Sequence, residues 1–275
     1  MSLLAAGAAL TAAACPLPAA AAAAPTFAPT RFSVEVTGSG PDVILIPGLT
    51  SGRDVWKGSV AALPGYRYHL VQVSGFAGEP ARGNARGPVV TGIAEELSRY
   101  IAANGLREPA VIGHSMGGTI ALTLAARHPD QVGKLMVVDM LPQPSGLFGS
   151  TPESADGIAE AIGSLAATPG GGALVGSLAG MFGDANGSDP EVVARAVQEL
   201  AATDLRPALP RIAAPLTVVY ASADPQTRAA RDATFAAAYR SRPGTRFVRI
   251  DDSSHMVMFD QPAKLKAAIA AFLRD

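Results

Sequence analysis

Short runs rich in Val, Ile and Leu recur along the chain at 31–37, 42–46, 68–73, 110–113, 134–139, 215–221 and 246–250. Each is bounded by Gly, Pro or a polar residue, the pattern of strands buried in a parallel sheet. Between them the period changes. Residues 93–104 place Ile93, Leu97, Tyr100 and Ile101 on one helical face, and 116–128 is apolar on most sides, as an interior helix would be. Residues 228–239 and 262–273 are amphipathic, with Pro262 at a first-turn position. Strands alternating with helices predict an α/β fold: a mostly parallel central sheet with helices on both faces.

Two stretches break this rhythm. Residues 141–211 contain no convincing strand but three helical pieces, at 152–167, 173–182 and 190–203, the last opened by Asp189-Pro190-Glu191. They are expected to form a helical cap over one end of a core made of 25–140 and 212–275. Residues 1–24 are uncharged and mostly Ala, with Pro16 and Pro18 interrupting them. That composition suits a cleaved export signal and a periplasmic or secreted protein better than a membrane span. Cys15, following three alanines, offers lipoprotein anchoring as the alternative.

Composition narrows the function. Among 275 residues, 22 Lys and Arg face 23 Asp and Glu, so the net charge is −1 and no cationic surplus is available for nucleic acid. The hydrophobic share is 48% and the charged share 16%, which excludes disorder for most of the chain. A single cysteine allows neither an internal disulfide nor a Cys-based zinc site, and no metal or cofactor is expected. Gly38-Ser39-Gly40 precedes a strand instead of following one, so it is no dinucleotide fingerprint.

The sharpest signal is Ala110-Val111-Ile112-Gly113-His114-Ser115-Met116-Gly117-Gly118. A buried strand runs straight into Ser115 and a helix starts straight after it. So tight a turn strains the serine, requires small neighbours at Gly113 and Gly117, and aims a helix N-terminus at any developing oxyanion. Such a serine needs a base, and the chain offers His69, His114, His128 and His255. His69 lies within a strand; His128 ends a helix, where a cation suits the dipole. His114 is expected to point away from its neighbour Ser115. Two carboxylates at strand ends, Asp139 and Asp224, obey the order Ser, Asp, His.

With Gly113–Gly117, Pro47-Gly48-Leu49 with Trp56 further along, and the late His255, the chain resembles the α/β-hydrolase superfamily of serine hydrolases, on its carboxylesterase-like branch, from about residue 31 to 275. The resemblance implies an α/β-hydrolase fold with Ser115 as nucleophile and His255 as base. It implies Asp224 as the orienting acid, with Asp139 in the position some members use instead. It also implies an oxyanion hole from the backbone amides of Leu49 and Met116. An apolar pocket is expected from Trp56, Phe76, Phe148, Phe182, Met256 and Met258.

Together these point to cleavage of small or medium apolar carboxylic esters through an acyl-enzyme. A carbon–carbon bond hydrolase or perhydrolase-type relative on the same triad is the first alternative. A non-catalytic binding member of the fold is the second.

Overall fold

The computed structural model describes residues 27–145 and 187–275. The stretch expected to be an export signal, with Cys15, the expected cap pieces at 152–167 and 173–182, and the pocket candidates Phe148 and Phe182 lie outside the described residues.

Seven strands form one sheet: β1 Phe32–Gly38, β2 Asp42–Ile46, β3 Arg67–Val73, β4 Ala110–His114, β5 Lys134–Val138, β6 Leu216–Ser222 and β7 Arg246–Asp251. Their order across the sheet is β1-β3-β2-β4-β5-β6-β7. From β2 onward every neighbouring pair is parallel. β1 corrects the expectation of a buried parallel strand: it is an edge strand, antiparallel to β3, and only Phe32 within it is buried. The physical reason is the connection. Parallel strands need a crossover of a dozen or more residues, and only residues 39–41 separate β1 from β2.

Described helices are α1 Lys57–Ala62, α2 Val90–Ala103, α3 Met116–Arg127, α4 Pro190–Ala202, α5 Arg228–Ala238, α6 Val257–Asp260 and α7 Pro262–Arg274. Alternation along the central strands divides the core between the sheet's two faces. Val111, Leu135, Val137 and Val218 pack with α2, α3 and α5. Ile112, Met136, Val138 and Val219 pack with Trp56 and with Leu265, Ile269 and Phe272 of α7. Each such fully buried aliphatic side chain contributes roughly 1.5–3 kcal/mol. α3 is buried along nearly its whole length, as its uniform apolarity predicts.

Two helix starts differ instructively. α4 is capped locally, as its sequence predicts: Asp189 Oδ1 accepts from the amides of Glu191 and Val192 at 2.9 and 3.1 Å. α2 begins three residues before its apolar pattern does. No side chain of its own caps it. Instead the Glu199 carboxylate of α4 accepts from the amides of Val89, Val90 and Thr91 at 2.7, 2.8 and 2.8 Å. A carboxylate brought from 108–110 residues away thus satisfies the orphan donors of this helix N-terminus. The same ion fixes the described end of the 141–211 segment to the core.

Candidate active site

Ser115 stands between β4 and α3 with φ 53° and ψ −126°, a strained conformation for a residue with a side chain. The packing around it explains the glycines. A Cβ at Gly113 would lie 2.1 Å from the Gly117 carbonyl oxygen, and one at Gly117 would lie 2.3 Å from that of Ile46. Behind the serine, its own amide donates to the Val138 carbonyl at 2.9 Å, tying the turn to the end of β5.

His255 follows β7 and reaches back over this turn. Its Nε2 accepts from the Ser115 hydroxyl at 2.8 Å. Its Nδ1–H donates to Asp139 Oδ2 at 2.7 Å. An ionised carboxylate can only accept, so this partner fixes the Nδ1–H tautomer and leaves the Nε2 lone pair toward the hydroxyl. The result is a continuous Ser115–His255–Asp139 relay.

The carboxylate in that relay is Asp139, which corrects the preference for Asp224. β6 continues through Ser222, so Asp224 lies beyond the sheet edge. It is exposed there, with Oδ1 accepting the Gln226 amide at 2.8 Å to cap the 3-10 turn Pro225–Thr227. Asp139 instead follows directly on Val138, whose register partner is His114, beside the serine. It is itself buried, with φ 49°. Its Oδ1 accepts the Ala221 amide at 3.0 Å and a guanidinium N–H of Arg231 at 3.2 Å.

His114 makes a contact of its own with His255. Its ring packs against that of His255, with centroids 4.8 Å apart, and its Nε2–H donates to the His255 carbonyl at 2.9 Å. Complete burial pushes its pKa down to about 4, the neighbouring His255 adding to the effect, so the ring is a neutral donor throughout the ordinary pH range. A buried histidine beside the serine was visible in the sequence; its contact across 141 residues was not. Arg231 carried no sequence signal beyond its place in an amphipathic helix.

The 47–49 loop passes over the serine: a Cβ at Gly48 would stand 3.1 Å from the Ser115 Cβ. Among the described residues, neither the Leu49 nor the Met116 amide donates to another backbone carbonyl. The apolar candidates fare differently. Trp56 and Phe76 are wholly buried, and Met258 nearly so. Trp56 and Met258 pack in the core on the α7 side of the sheet and Phe76 in the core on the α2/α3 side. Met256, next to His255, remains partly exposed. No group of three or more His, Cys, Asp or Glu among the described residues could hold a metal ion, and no described helix is long and apolar enough to cross a membrane.

Known proteins match this architecture. The sequence profile of the alpha/beta hydrolase family matches residues 43–268, and the chain belongs to that family. It is similar to a pimeloyl-[acyl-carrier protein] methyl ester esterase of Aeromonas hydrophila, 35% identical over 111 residues. That match covers 40% of this chain and 42% of the relative's length. The fold is similar to that of a thermophilic esterase from Thermogutta terrifontis, with a TM-score of 0.69 and 22% identity over 88% of this chain and 93% of that one. It is likewise similar to that of the enol-lactonase from Burkholderia xenovorans LB400, with a TM-score of 0.65 and 21% identity over 90% and 97% of the two chains.

Proposed function

We propose that the protein is a serine hydrolase that cleaves small or medium apolar carboxylic esters through an acyl-enzyme, with Ser115 as nucleophile, His255 as general base and Asp139 as orienting acid. The observation that carries this reading is the unbroken relay of 2.8 and 2.7 Å from the strained serine through His255 to Asp139. The esterase named among its relatives supports the ester as the substrate class.

In the first half-reaction the Ser115 oxygen bonds to the carbonyl carbon as its proton passes to His255 Nε2. The imidazolium so formed is stabilised by the carboxylate on its other nitrogen. The negative oxygen of the tetrahedral intermediate takes hydrogen bonds from the Leu49 and Met116 amides, at the positive end of α3. Collapse breaks the ester C–O bond, and His255 gives its proton to the leaving alcohol. Water then adds to the acyl-enzyme by the same path, its proton going to His255 and then to the serine oxygen, which releases the carboxylic acid.

The test is a panel of nitrophenyl esters of increasing acyl length, assayed beside peroxide and diketone substrates, with covalent labelling by a fluorophosphonate probe. Turnover greatest on short and medium esters, with the label on Ser115, supports the reading. Labelling with no ester turnover but with diketone cleavage or peracid formation assigns the same relay to the alternative chemistries. No labelling at all removes the nucleophile and the reading with it.

A further inference from the structure

The second oxygen of the Asp139 carboxylate, Oδ1, is held by the β6 backbone and by a cation. β5 stops at Val138, paired with Val219, while β6 continues. The Asp139 amide still donates to the Val219 carbonyl at 2.7 Å, but the next ladder donor on β6, the Ala221 amide, has no strand carbonyl opposite it. Oδ1 of Asp139 takes that place at 3.0 Å. Arg231 closes the arrangement from α5. Its Nε–H donates to the Ala221 carbonyl at 3.1 Å and a terminal nitrogen lies 3.2 Å from Oδ1. The guanidinium stands over the ring of Phe235, 5.2 Å from its centroid, and Phe235 is fully buried against Tyr220. The Arg231 side chain is about a third exposed, at 30%, while that of Asp139 is 3% exposed.

We infer that Arg231 is a positioning residue of the acid arm: it clamps Oδ1 of Asp139 so that Oδ2 faces His255, and its charge limits how strongly that carboxylate stabilises the imidazolium. This rests on Asp139 being the orienting acid. The surroundings leave Arg231 as the one cation in direct contact with that carboxylate among the described residues. From β4 the site is faced by His114, which is neutral. Tyr239, just past α5, gives its hydroxyl proton to the Met140 carbonyl, and burial pushes its pKa up, so it too is neutral. The other charges nearby pair elsewhere: Arg228 with Asp251 and Asp252, and Arg249 with Asp232 and Asp251.

The direction of the effect follows from charge. Removing a cation beside Asp139 lets the carboxylate favour protonated His255 more, so base function fails at a higher pH. The experiment measures the rate of fluorophosphonate labelling of Ser115 against pH, which needs no natural substrate. It uses the full chain and compares the wild type with Arg231→Met, Arg231→Lys and Asp139→Asn.

For Arg231→Met we expect labelling about tenfold slower at neutral pH and an acid limb about half a pH unit higher, the exposed guanidinium limiting the size. Arg231→Lys keeps the charge and should return the limb to the wild-type position while recovering only part of the rate, since an ammonium lacks the two-pronged grip. A slower Arg231→Met with an unmoved limb would mean the arginine is only structural and overturns the inference. If Arg231→Met does not fold, Arg231→Lys decides: wild-type rate with a displaced limb overturns it. If Asp139→Asn labels as fast as wild type, the acid assignment fails and the inference with it. If Asp139→Asn is crippled while both Arg231 variants match wild type, the inference alone fails.

Discussion

Among the described residues stand two carboxylate–imidazole–hydroxyl relays whose hydrogen-bond distances do not separate them. At the sheet end that leads to β1, His69 lies between Asp42 and Tyr100, with Nε2 2.9 Å from Asp42 Oδ1 and Nδ1 2.8 Å from the Tyr100 hydroxyl. At the other end of the strands, His255 lies between Asp139 and Ser115 at 2.7 and 2.8 Å. In both, an arginine contacts the carboxylate: Arg67 on Asp42 and Arg231 on Asp139.

The differences lie around the chains. The His69 side chain is 4% exposed and that of His255 is 28% exposed. His69 sits within β3 between β1 and β2, whereas Ser115 occupies a strained turn at the head of a helix, beside two amides that donate to no other backbone carbonyl among the described residues. A relay becomes reactive when its hydroxyl is strained, reachable and next to donors for a new negative charge. Enclosed in the sheet, the same groups only satisfy one another's hydrogen bonds.

That contrast can be tested from the strongest effect downward. Ser115→Ala or His255→Ala should lower kcat on a nitrophenyl ester by on the order of 10⁶, with the melting temperature nearly unchanged. Asp139→Asn should cost about 10⁴ in kcat through loss of tautomer control, while Asp224→Asn should leave kcat within about threefold. The reverse ranking, measured by steady-state kinetics on both variants, would falsify the choice of acid.

Changes in the enclosed relay should do the opposite. Tyr100→Phe should lower unfolding free energy by about 1 kcal/mol, read from urea midpoints, and leave kcat/KM within about twofold. A large loss of turnover there would erase the distinction between the two relays.

The smallest effect concerns acid. The Arg67 guanidinium hydrogen-bonded to Asp42 holds its carboxyl below the ordinary 3.8, with His69 adding to this and burial opposing it. A carboxyl depressed on folding stabilises the protein above its unfolded value, and that stability is lost as pH falls through the lower folded value. Urea midpoints of wild type and Asp42→Asn should therefore differ at pH 6 and converge below the ordinary aspartate range. A gap that persists there would show that Asp42 contributes by packing and not by charge.

The sequence carried the parts of this protein that are local. Apolar runs marked the strands, and Asp189-Pro190-Glu191 marked the start of α4, because an N-cap and its amides lie within three residues of each other. Gly113 and Gly117 marked the serine turn, because close backbone approach at those two positions excludes a side chain. Four histidines left few choices of base.

Tertiary structure decided what depends on distant chain meeting distant chain. Glu199 starts α2, β6 overruns β5 and so selects Asp139 over Asp224, Arg231 reaches that carboxylate from α5, and His114 meets the His255 carbonyl. Both aspartates follow a strand and precede His255, so the pattern along the chain treats them alike. The relative lengths of neighbouring strands, set when the sheet assembles, place one beside the imidazole and leave the other capping a turn in solvent.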